Sequence, residues 1–119
     1  MKMLLAVGAG SFIGGTFRYL LALLIQNRST IPFPFATLTV NIVGCFLIGL
    51  VFGLGAKGNV SPEWRLFLAT GILGGFTTFS AFSYESVNML QNGQVWSAVA
   101  YVLASVLVGL LATFAGLWL

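Results

Sequence analysis

Apart from Arg18, no residue from Met3 to Ile25 is charged; none is from Phe35 to Leu54, from Leu66 to Tyr84, or from Trp96 to Leu119. An apolar run of about 20 residues is long enough to cross a bilayer as a helix. Four such spans are predicted: Met3–Ile25, Phe35–Leu54, a third starting near Trp64 and ending near Leu90, and a fourth from Trp96 to the C-terminus. The chain is 59% hydrophobic and 6% charged, with a mean hydropathy of +1.04. Four spans and their connections use up its 119 residues. The reading is one all-α transmembrane domain over residues 1–119, embedded in a lipid bilayer, with no soluble domain. Lys2 resembles the start of a signal peptide, but the apolar run outlasts the usual 7–15 residues, so a retained helix is expected.

The same composition removes several function classes. There is no histidine, and Glu63 and Glu85 are far apart, which leaves little for a zinc site or an acid–base pair. A net charge of +3, spread thinly, gives no nucleic-acid footprint. No GxxxxGK[ST] pattern occurs, so no nucleotide-driven pump is indicated. Cys45, the single cysteine, excludes an internal disulfide and reads as a small buried hydrophobe.

Polar residues inside spans then carry the information. Gly10 and Gly14, four apart, suggest close helix packing. Arg18 is either a functional group facing protein or water, or a side chain snorkelling towards the Arg28 end. Gln26 to Pro34 is a polar connection in which Pro32 and Pro34 stop the helix. Thr37 and Asn41 share a face of the second span, where the asparagine glues helices or lines a polar path. Gly55 to Val60 forms the next loop. Ser61 caps the third helix, Pro62 opens it, and Trp64 and Arg65 fit headgroup level. Asn92–Gly93 ends it in a tight turn. Tyr101 and Ser105 form a stripe on the fourth span that continues through Gly109.

The stretch from Gly74 to Ser83 is the odd piece. Adjacent glycines loosen a helix, and Thr77, Thr78, Ser80 and Ser83 offer hydroxyls to carbonyls that a break would free. Irregular backbone in lipid survives only inside protein or against a wet cavity, so this reads as a broken helix at a midplane site. The alternative is small-residue packing, since Gly71 and Gly75 are also four apart. For an anion, the hydroxyls of Thr37, Ser80 and Ser83 with the Asn41 amide would replace water. The positive ring edges of Phe79 and Phe82 could help without any fixed charge. A cation path normally displays acids, and only Glu85 lies near a span.

The string Gly74-Gly75-Phe76-Thr77-Thr78-Phe79-Ser80-Ala81-Phe82-Ser83-Tyr84-Glu85 closely resembles the GGxTTFSTFSxE signature of the fluoride channels called Fluc or CrcB. Arg18-Tyr19, Thr37-Leu38-Thr39-Val40-Asn41 and the chain length agree with it. The resemblance implies a fluoride-selective channel of the cell inner (plasma) membrane, an antiparallel dual-topology homodimer of four-helix subunits with the third helix broken mid-membrane. It implies a structural sodium ion at the dimer centre, held by backbone carbonyls of Gly74 and Thr77. It also implies that Phe79, Phe82, Asn41, Ser80, Ser83, Thr37, Tyr101 and Ser105 line the fluoride path, with Arg18 and Glu85 at its vestibule. Two departures stand out: Ala81 where threonine is usual, and Ala36 where glycine is common.

Charge counts agree with both orientations. Lys2, Lys57 and Arg65 would share one side and Arg18 and Arg28 the other, almost no positive-inside bias. A proton-coupled four-helix exporter would need an acid in its first helix, which here carries Arg18 instead. A purely structural subunit would leave that arginine and the glycine pair unexplained.

Overall fold

A computed structural model of the chain describes residues 1–28 and 33–119; Pro32 of the first connection lies outside them. Four candidate spans are present: α1 (Lys2–Gln26), α2 (Phe35–Ala56), a third over Pro62–Gln91, and a last helix, Val95–Trp118. The third is two pieces, α3 (residues 62–76) and α4 (Phe79–Gln91), so the last helix is α5. All spans fall within two residues of the expected ends. The long dimension of 47 Å is close to a bilayer with its headgroups, roughly 40–45 Å.

Helix ends follow local chemistry. Ser61 Oγ accepts from Trp64 N–H at 3.3 Å, with Pro62 in the first turn. Glycine ends α2 and α4 in the same way. Gly58 and Gly93 take φ of +79° and +78°, where a side chain would strain the backbone. The next residue in each case, Asn59 or Gln94, returns its N–H to the helix, at Leu54 O or Met89 O. Both are Schellman stops, and the second is the Asn92–Gly93 turn expected from sequence.

Packing rests on small residues. α1 lies against α3, and α2 against α5. Gly14 sits on the Ile72 carbonyl, and a methyl on Gly75 would come within 2.6 Å of Ser11 O. On the other side Gly49 and Gly116 admit the backbones at Thr113 and Phe46. Without water to drive helices together, this backbone-to-backbone approach supplies the van der Waals contact. Large apolar side chains such as Phe12, Phe17, Leu107 and Phe114 point outwards, as suits a lipid-facing surface.

The third span departs most from regular helix. After a first turn at Pro62–Arg65, residues Leu66–Leu73 are π-helical, and Gly74–Phe76 close a final α turn. The break then falls at Thr77 (φ −85°, ψ 157°) and Thr78 (φ −150°, ψ 118°). Sequence placed it at Gly74–Gly75, yet Gly74 is helical at φ −62°, ψ −37°. Physically, Gly75 is used for close approach to α1, and the β-branched threonines take the extended backbone they favour.

Candidate functional site

The break is held open by side chains. Thr78 N–H, which would bond Gly74 O in a continuous helix, donates instead to Asn41 Oδ1 at 3.0 Å, and Asn41 Nδ2 donates back to Thr78 O at 3.1 Å. Ala81 N–H, which would bond Thr77 O, donates to Thr78 Oγ1 at 3.2 Å as the N-cap of α4. The Gly74 and Thr77 carbonyls are thereby relieved of their helical partners. Gly75 O accepts from Arg18 Nε at 3.2 Å. Arg18 therefore faces protein and reaches the broken helix. Thr77 Oγ1 donates to Leu73 O at 3.0 Å.

Beside the break lies a cavity of about 390 Å³. Asn41 and Cys45 of α2, Thr77 and Thr78 of the break, Phe79 and Phe82 of α4, and Ser105 of α5 are among its walls. Among the described residues, no acidic or basic side chain lines it. Asn41 spends one amide hydrogen on Thr78 O, so its second remains for an occupant. Ser105 Oγ is buried and, among the described residues, finds no hydrogen-bond partner. A buried hydroxyl left unpaired costs about 1–3 kcal/mol, and a ligand that accepts its hydrogen would recover that. The chemistry offered is amide and hydroxyl donors with aromatic rings and no formal charge.

Four of the expected lining residues, Asn41, Phe79, Phe82 and Ser105, thus meet in one cavity. The other four are not among its walls. Tyr101 is fully buried, and its hydroxyl donates to Glu85 Oε1 at 3.1 Å. Thr37 is one turn before Asn41. Ser80 Oγ is 3.3 Å from Thr78 Oγ1. Ser83 is exposed on α4. Glu85 also borders a separate recess with Phe33, Asn88, Asn92 and Gln94 at the end of the span; Arg18, expected with it at a vestibule, is not among its walls and bonds Gly75 O instead.

Rings connect the two regions. Phe79 and Phe82 have centroids 5.6 Å apart, Phe82 and Tyr101 5.1 Å, and Phe33 closes edge-on to Tyr101 at 5.6 Å and 87°. Phe33 was missed by sequence reasoning, because nothing in a proline-flanked connection marks an aromatic as part of a row. Cys45 was read as a buried hydrophobe but stands in the cavity wall, only partly buried. Phe76 is 9% exposed and packs, whereas Phe79 is 79% exposed.

Residues 5–117 match the family model described as CrcB-like protein, Camphor Resistance (CrcB). The chain is 49% identical to the fluoride-specific ion channel FluC of Rhizobium meliloti (strain 1021), over 98% of this chain and 94% of that one. It is 48% identical to the protein of the same name from Chlorobium phaeobacteroides (strain BS1), over 98% and 91%. With that of Flavobacterium psychrophilum the figures are 47%, 98% and 95%.

Proposed function

The chain belongs to the CrcB-like family, and from that premise we propose that it is a fluoride-selective ion channel that passively exports fluoride from the cytoplasm. The observation that carries this reading is the uncharged cavity at the helix break, with Asn41, Ser105, Phe79 and Phe82 in its walls. A small anion that leaves water needs donors in return. The free Asn41 hydrogen, the unpaired Ser105 hydroxyl and the ring edges supply them weakly and at several points, which lets an ion leave as readily as it enters. Hydrogen fluoride enters cells neutral, ionises in a less acidic cytoplasm and is trapped. A passive pore in the inner (plasma) membrane lets the membrane potential drive the anion out and relieves its toxicity.

The working unit of this proposal is an antiparallel dual-topology homodimer. Phe79, Ser80, Ser83 and Tyr84 leave one face of α4 open, and hydroxyls beside a cavity suit a protein neighbour better than lipid. The even spread of basic residues supports insertion in both orientations. A sodium ion at the dimer centre fits the donor set: the relieved Gly74 and Thr77 carbonyls are neutral hard oxygens, as alkali cations prefer. Such an ion would hold the two breaks together, and Asn41 and Thr78 keep those carbonyls free for it.

Fluoride efflux from liposomes that contain only this protein tests the function. Release should accelerate when a potassium ionophore shunts the accumulated charge. Release that depends on a proton gradient or a nucleotide sinks the proposal. Lysines added to the loop at residues 55–60 should bias orientation and lose efflux, and co-expression with an oppositely biased copy should restore it.

A further inference from the structure

The polar stripe of α5 has a gap. Tyr101, Ser105 and Thr113 carry hydroxyls at four-residue spacing, but position 109 is glycine. The space above Gly109 is taken from α2: Cys45 Sγ lies 3.4 Å from where a Cβ on Gly109 would stand. Cys45 follows Asn41 by one turn and shares the cavity wall with it and with Ser105. The unpaired Ser105 Oγ, one turn from Gly109, is an independent sign that this part of the cavity receives a polar occupant. Thr113 Oγ1 donates to Gly109 O at 3.1 Å, so the hydroxyl beyond the gap is already committed.

We propose that the Cys45 thiol lines the ion path at the level of Gly109, where it replaces a missing hydroxyl, and that a group attached to its sulfur closes the path. The proposal rests on the channel reading above. A thiol is a weak donor on a polarizable atom, and a hard, strongly hydrated anion is held loosely by it, as conduction requires. The position is also a covalent modification site. Its thiolate attacks the sulfenyl sulfur of a methanethiosulfonate: the S–S bond forms on Cys45, the proton goes to water, and methanesulfinate leaves. Because the chain has one cysteine, any adduct reports this position alone.

The experiment treats liposomes of the whole protein with methyl methanethiosulfonate and with its aminoethyl analogue, and records intact mass and fluoride efflux. Each rate is divided by that of the same untreated sample. A single adduct is expected, with efflux down about tenfold or more because the attached group takes the place of the ion beside Ser105 and Asn41, and restored by a reducing agent. Cys45→Ser should form no adduct and keep a ratio of one. Gly109→Ser, which places a hydroxyl against the sulfur, should slow modification several-fold. An adduct with unchanged efflux overturns the role of the thiol alone, and so does a thiol that reacts only after denaturation. Untreated protein that releases no fluoride overturns the channel reading with it.

Discussion

The two halves of the third span are built on opposite terms. α3 is wedged against α1, with Gly75 at Ser11 and Gly71 at Gly10, so that neither backbone has room for a methyl group. α4, only two residues later, rests mainly on α5 and leaves Phe79, Tyr84 and Val87 exposed. Its one side-chain hydrogen bond to α5 among the described residues is Tyr101–Glu85, beside the packing of Phe82 and Met89 on Tyr101. One half is fixed by its own chain, and the other leaves a face uncovered. A span divided this way can be rigid where it carries a break and open where, on the proposed function, it would meet an ion or a second copy.

The largest effect should come from the wedged half. Gly14→Leu drives a side chain into the Ile72 carbonyl and should cost about 3 kcal/mol or more, read as a lowered unfolding temperature in detergent. Ser83→Leu on α4 should change stability by only about 0.5 kcal/mol or less, and so barely move that temperature, yet reduce efflux and pairing of copies in sedimentation. Equal costs at the two positions would erase the contrast.

Next is the joint between the halves. Asn41→Ala leaves Thr78 N–H without its partner, at about 1–3 kcal/mol, and efflux should fall with stability. Should Asn41→Ala conduct normally, the break does not depend on its clamp.

The phenylalanines sharpen the comparison further. Phe79→Ile should lower efflux about two- to thirteenfold, from an edge contact of roughly 0.5–1.5 kcal/mol, with unfolding unchanged because the ring is exposed. Phe82→Ile should lower both, since that ring also stacks near Tyr101. Phe76→Ile, in the buried half, should act on stability more than on flux. Normal conduction in the first two with a dead Phe76→Ile would mean that the wrong face had been assigned.

The smallest effect has an unusual sign. Ser105→Ala removes a buried hydroxyl that has no partner among the described residues, so it should be neutral or stabilising by up to about 1 kcal/mol, while efflux declines. A clear destabilisation would show the hydroxyl to be paired within the protein.

Much of this was legible because hydropathy is a local property: the absence of charge over each span marks all four helices, and Asn92–Gly93 and Ser61–Pro62 mark ends. The meeting of Asn41 with Phe79, Phe82 and Ser105 was legible through the family signature. The position of the break was not. A glycine used for flexibility and one used for close approach look alike in sequence, and only the neighbour at Ser11 tells them apart. Asn41 likewise bonds a backbone 37 residues away, and Tyr101 bonds Glu85, partners that no periodicity reveals.

The π-helical run at Leu66–Leu73 turns length into angle. Its hydrogen bonds close over five residues, as Gly74 N–H reaching Ala69 O illustrates, where an α-helix closes over four. An α-helix advances about 100° per residue, and a run that closes over five residues turns by less for each one. A residue deleted here must be absorbed by tightening the run towards α-helical closure; otherwise it swings Gly71 and Gly75 off α1, or swings Trp64 and Arg65 around the helix axis. The number of residues between the membrane surface and Thr77 therefore acts as a phase setting.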